Sequence, residues 1–269
     1  MAKKAQIYDD SVITMLKGED RVRKRPAVIF GSDGIDGCEH SAFEIISNAV
    51  DEAREGHGNV INITYSKDKV ITVEDFGRGV PLGWNEKEQR YNWELVYCEL
   101  YAGGKYDNDE GGVYAYSLGT NGLGAASTQY SSEFMNVKSY KGDEVSEISF
   151  KKGKPASELV KTPLSKKEQR TGTVVTWKPD LEVFTDTNIP FEYFDVMLDK
   201  QAVVNAGITF NLNYSDSDGN ITEKSYLYEN GIKDYIATIA GNSSLTEPHF
   251  ASLETSGRDR EDKPIYNLK

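Results

Sequence analysis

The stretch HSAFEIISNAVDEARE, His40 to Glu55, decides how this chain is read. At about 100° per residue it closes as a helix with two unlike faces. Ala42, Phe43, Ile45, Ile46, Ala49, Val50 and Ala53 gather on one side as a core-seeking stripe. His40, Glu44, Asn48 and Asp51 fall within roughly 80° on the other side. An ordinary solvated face would mix in Lys and Arg, and this stripe holds neither. A carboxylate one turn from an imidazole is equipped for general base work, and an amide oxygen one turn further suits a hard cation such as Mg²⁺. Gly56 and Gly58 supply the stop signals.

On the C-terminal side, NVINITYS (Asn59–Ser66) alternates as a strand, and VITVED (Val70–Asp75) reads as its hairpin partner. A short helical run at Trp93–Tyr101 opens into a long Gly- and Tyr-rich stretch, Ala102–Ser127, of the kind that is usually functional. From Glu133 the pattern turns to strands: EFMNVKSY, EVSEISF and GTVVTWKPD (Gly172–Asp180). A helix near Phe191–Asn205, strands at Gly207–Tyr214 and Thr222–Tyr228, and a short helix at Gly231–Gly241 follow. Helices and strands come in mixed runs, which favours an α+β sandwich over a doubly wound sheet. On the N-terminal side, RVRKRP (Arg21–Pro26) reads as a solvated charge run.

Composition bounds the function. The 269 residues are 38% hydrophobic, enough for a sizeable core and too apolar for a disordered chain. A formal net charge of −12 repels phosphate, so the chain is a poor sequence-independent DNA binder. Cys38 and Cys98 alone make neither a disulfide framework nor a four-thiolate zinc site, and a reducing cytoplasm is the expected compartment. No apolar run approaches the roughly 18 residues of a membrane span, and MAKKAQIYDD leads into no signal core.

Three glycine segments complete the pattern. EDFGRGVP (Glu74–Pro81) puts Asp75 beside Gly77 and Gly79 directly after a strand. Its Asp-Phe-Gly also spells a protein-kinase motif, but the other kinase segments are missing in order. GTNGLG (Gly119–Gly124) offers backbone N–H groups that could line a phosphate, yet fits neither a P-loop nor a dinucleotide fingerprint. Thr171-Gly172-Thr173 leads into a late strand.

Taken together and in this order, these features resemble the signature of the GHKL (Bergerat-fold) ATPases. LKGEDRVRKRPAVIFGS, FEIISNAVDEA, VEDFGRGVP and LYAGGKY are similar to the ATPase region of the type II DNA topoisomerases of the gyrase B and topoisomerase IV B kind, over about residues 8–235. The resemblance implies a two-layer α/β sandwich whose mixed sheet is covered on one face by helices, with ATP and Mg²⁺ as cofactors. By that likeness Glu44 is the base that activates water, His40 orients it, and Asn48 ligates Mg²⁺. Asp51 and Glu52 belong to the nucleotide site, Glu52 as a partner for Arg78. Asp75 accepts the adenine amino group with help from Thr173. Gly77 and Gly79 let the backbone approach the base, and Arg78 and Pro81 form the rim. Lys105, Gly119, Asn121, Gly122, Leu123 and Gly124 close over the phosphates, with Tyr114 nearby.

The chain departs from bacterial gyrases in places. Its lid reads Asn-Gly-x-Gly, as in eukaryotic and phage enzymes. Phe76 replaces a polar residue, and the strand arginine of the coumarin pocket stands as Glu147. The likeness further implies an ATPase domain over 1–229, with an arm at about 1–15 whose Tyr8 reaches a second copy of the chain, and the start of a transducer domain at 230–269. An A-type topoisomerase partner and duplex DNA would be met through regions beyond this segment; no membrane partner is expected. Two other readings remain open here: another GHKL member such as a MutL-like repair protein, and a non-hydrolysing nucleotide-binding module. Chaperone and histidine-kinase members fit less well, and Glu44 argues against a pure sensor.

Overall fold

The computed structural model describes residues 15–102, 122–241, 245–246, 251, 253, 255–258 and 266–268. Two short helices, α1 (Asp20–Arg23) and α2 (Pro26–Phe30), lead into the long α3 (Ile35–Arg54). A hairpin of β1 (Val60–Tyr65) and β2 (Ile71–Asp75) follows, then the small β3 (Trp84–Asn85) and β4 (Arg90–Tyr91), and α4 (Asn92–Cys98). After α5 (Gly124–Tyr130) come β5 (Ser132–Gly142), β6 (Glu144–Lys151), β7 (Lys154–Pro155), β8 (Val160–Pro163) and β9 (Arg170–Pro179). The order closes with α6 (Phe191–Val204), β10 (Thr209–Ser215), β11 (Ile221–Tyr226), α7 (Ile232–Ala240) and the pair β12 (Thr255–Gly257) and β13 (Tyr266–Leu268).

Among the described residues nine strands form one sheet in the order β11-β10-β1-β2-β9-β5-β6-β7, with β8 also on β6. The β1–β10 pair is parallel and the other pairs of this sheet are antiparallel, so the sheet is mixed. Strand alternation divides its two faces. Ile61, Ile63, Ile71, Val73, Val137, Trp177, Phe210 and Leu212 turn inward and are buried. Against them lie Ala42, Ile45, Ile46, Ala49 and Val50 of α3, and Phe194, Leu198 and Ala202 of α6. Each buried aliphatic or aromatic side chain contributes about 1.5–3 kcal/mol. The other face is polar. Across it Ser225 donates to Asn211 (2.9 Å), Asn211 to Asn62 (3.0 Å), Asn62 to Glu74 (2.9 Å), and Arg170 donates to Glu74 (2.5 Å). One face greasy and one hydrogen-bonded is the two-layer arrangement expected.

The boundaries differ in informative places. α3 begins five residues before His40, because Gly37 is a required residue of the helix and not a breaker: a Cβ there would lie 2.1 Å from the Ser32 carbonyl oxygen. The helix expected at Trp93–Tyr101 ends at Cys98. The elements α1, α2, β3, β4, β7 and β8 are too short to show a period in sequence.

Candidate functional site

The polar stripe of α3 runs between the loop after β2 and the start of α5 as the floor of an open cleft, in which His40 and Asn48 stay exposed. His40 is placed first. One ring nitrogen meets the Phe30 carbonyl at 3.3 Å, the Phe30 ring packs edge-on at 6.0 Å, and the other nitrogen meets Glu44 Oε1 at 3.2 Å. One turn on, Asn48 donates its amide N–H to the Glu44 carbonyl (2.9 Å), which directs its amide oxygen outward. Asp51, centred in the stripe, is only 2% exposed, so it belongs to the wall beneath the cleft.

Asp75 ends β2 at 8% exposure. Its Oδ1 accepts the backbone N–H of Gly77 (2.9 Å) and of Thr173 (3.1 Å). Burial pushes its pKa up to about 6; the two amides pull the other way, and the nearby Glu52 charge adds to the rise. The loop can follow this path only with glycines. At Gly77 a Cβ would lie 2.9 Å from Glu52 Cβ; at Gly79, with φ +77°, it would lie 2.6 Å from the Tyr140 carbonyl oxygen. Arg78 grips Glu52 in a fork, Nε to Oε2 at 3.1 Å and Nη2 to Oε1 at 2.8 Å, so the loop is pinned to α3 as the sequence suggested. Thr173 Oγ1 accepts the Val80 N–H at 3.1 Å, and Pro81 stands exposed at the mouth.

The third wall is α5. Gly122, at φ +58°, accepts the Tyr101 N–H on its carbonyl (2.9 Å), and Leu123 precedes the helix. Gly124 lies so close to Glu44 that a Cβ would fall 1.9 Å from Oε2. Glu44 is therefore held between an imidazole and the first backbone of a helix. Lys105, Tyr114, Gly119 and Asn121, like Tyr8 of the arm, lie outside the described residues.

Two readings are corrected. RVRKRP is not simply a solvated run: Arg23 donates to the carbonyls of Tyr130 (3.1 Å) and Ser132 (3.3 Å) and to Asp180 (2.6 Å). Nothing in the local pattern could show this, because its partners lie more than 100 residues away. Nor does Glu147 stand at the cleft. It sits on β6 and pairs with Lys138 at 3.3 Å, whereas Tyr140 touches Gly79 and the Arg170 guanidinium stacks between Tyr140 (4.0 Å) and Phe76 (5.3 Å).

No family model matches the chain. It is 34% identical over 245 residues to the DNA gyrase B protein of Clostridium acetobutylicum, covering 91% of the chain and 37% of that protein. It is 37% identical over 263 residues to the DNA topoisomerase 4 B protein of Staphylococcus aureus, covering 97% of the chain and 38% of the relative. The 43K ATPase domain of Thermus thermophilus gyrase B, solved with an aminocoumarin, superposes with a TM-score of 0.69 at 27% identity, over 90% of this chain and 60% of that one. Over most of its own length the chain is a homologue of the gyrase B and topoisomerase IV B proteins. The chain spans little more than a third of the length of the curated relatives it matches. None of its described helices is long and apolar enough to cross a membrane.

Proposed function

We propose that the chain binds ATP with Mg²⁺ and hydrolyses it at Glu44. The observation that carries this reading is the Glu44 carboxylate, 3.2 Å from His40 Nε2 on one side and packed so close to Gly124 on the other that no Cβ fits between them. A carboxylate so held takes a proton from a water aligned with the terminal phosphate, work worth about 10²–10⁴-fold. Asp75 recognises adenine: with Oδ1 saturated by two amides, Oδ2 receives the exocyclic amino group, and Thr173 assists through water. Arg78, Pro81, Gly77 and Gly79 shape the rim, with Glu52 and Asp51 behind it. Lys105, Gly119, Asn121, Gly122, Leu123 and Gly124, with Tyr114, close over the phosphates.

The donor set fits Mg²⁺. Among the described residues no group of three His, Cys, Asp or Glu gathers around one point, and a single outward amide oxygen, that of Asn48, suits an ion held mostly by phosphates and water. When bound, the ion would neutralise charge on the phosphates.

The wider role is a nucleotide-gated module of a type II topoisomerase in the cytoplasm, with residues 1–229 as the ATPase domain and 230–269 opening a transducer. Its partners would be a second copy of the chain, an A-type topoisomerase partner and, through other regions, duplex DNA. Glu44→Ala tests the core of this reading. Phosphate release should disappear while ATP affinity, read by titration calorimetry, stays within a few-fold; wild-type turnover in that variant refutes the assignment.

A further inference from the structure

Arg23 reaches from α1 into the joint between α5, β5 and the end of β9. Its Nη1 donates to the carbonyl oxygens of Tyr130, the last residue of α5, and Ser132, the first of β5. Its Nη2 donates to Asp180 (2.6 Å) and Glu182 (3.1 Å), and the side chain is only 12% exposed. Asp180 N–H in turn donates to the Ser131 carbonyl at 3.1 Å. The terminal carbonyls of a helix lack partners within it and favour a cation, so the guanidinium completes α5 chemically and electrostatically.

α5 is seven residues, about 10 Å long, too short to hold its own place. Its middle is tied to the interior, Thr128 Oγ1 donating to the Ser41 carbonyl (3.3 Å) and Trp177 Nε1 to the Thr128 carbonyl (3.0 Å), whereas the amide atoms of the buried Gln129, next to the Tyr130 end, have no hydrogen-bond partner among the described residues. Yet the other end of this same helix is Gly124, in contact with Glu44. A tilt at the Tyr130 end moves Gly124 by a comparable distance, and errors near 1 Å in a reacting group cost up to about 10²-fold in rate.

We propose that Arg23 is a positioning residue for hydrolysis, acting through α5 to hold the Gly122–Gly124 turn against Glu44. The inference rests on the reading of Glu44 as base. It touches neither adenine nor phosphate, so the Asp75 pocket should not feel its loss.

The test measures phosphate release, ADP affinity and thermal melting for the unaltered chain, Glu44→Ala, Arg23→Met and Arg23→Lys. Phosphate release that Glu44→Ala abolishes secures the underlying reading; a chain that binds ADP and never releases phosphate overturns both. Arg23→Met is expected to lower kcat by about tenfold or more with ADP affinity within about threefold. Arg23→Lys should recover part of the loss, because it keeps the charge and loses the fork. A residue that only braces the fold would lower Tm and leave kcat per folded molecule unchanged, and that result overturns the proposal. So does a fall in ADP affinity that matches the fall in kcat. Should Arg23→Met fail to fold, Arg23→Lys decides. A loss of about threefold or more at constant ADP affinity supports the proposal, and a kcat within about twofold of the unaltered chain overturns it.

Discussion

At Asp75, burial replaces the ordinary carboxyl pKa of 3.8 by one of about 6, and the sign of the consequence differs for folding and for binding. Between about pH 4 and 6 the native state holds this proton more tightly than the unfolded chain. Stability from this group therefore falls as pH rises through that window, and above it the ionised carboxylate costs the fold its full amount. Roughly two pKa units set an upper bound near 3 kcal/mol. Asp75→Asn, whose amide oxygen can still accept from Gly77 and Thr173, should melt a few degrees higher than the unaltered chain at pH 7.5 without nucleotide. It should also lose ATP binding, because an amide N–H₂ would meet the adenine amino group. For the unaltered chain, ATP affinity should fall by about tenfold per pH unit below about 6. Melting scans with and without ATP and titrations from pH 5 to 8 read all three; an Asn variant that melts lower, or that ATP still stabilises, removes the adenine role.

At the scale of elements, the contact of α5 with α3 is the most exacting in the site. Gly124→Ala puts a methyl carbon 1.9 Å from Glu44 Oε2, so either the carboxylate or the helix must move. We expect turnover to fall by about 10²-fold, while Gly83→Ala, which meets nothing within 4 Å, should be silent. Equal phosphate-release rates in the two variants would show that α5 plays no part. Sequence disclosed α3 from His40 onward because that stretch carries a clear 3.6 period, and the β1–β2 hairpin because Ile61, Ile63, Ile71 and Val73 alternate with polar neighbours. The Asp75 loop was legible because glycine after a carboxylate leaves few alternatives. α5 hardly shows its pattern, since Ser127, Thr128, Gln129 and Ser131 are all buried and read as surface. Arg23 was illegible for another reason: Tyr130 is 107 residues away and Asp180 is 157, and no local rule reports such pairs.

For the molecule as a whole, the proposed partner is a second copy of the chain, met through an arm at about residues 1–15. The apolar Ile232, Ile236 and Ile239 of α7 are exposed, and a charge of −12 opposes association at rest. The chain should therefore be monomeric without nucleotide and form a weak dimer with a non-hydrolysable ATP analogue; deleting residues 1–15 should abolish that dimer. Light scattering at high concentration checks it, and an unchanged monomer mass in every sample refutes the exchange of arms. The strand order has a consequence in time. β1 and β2 lie between β10 and β9, and Val60 pairs with Thr209. The hairpin that ends in Asp75 precedes its two neighbours in the sheet by roughly a hundred residues or more. Closing so distant a pairing is slow, and until Thr173 arrives the carboxylate lacks one of its two amides. A growing chain thus carries α3 and its polar stripe long before the Asp75 loop has the strands that hold it.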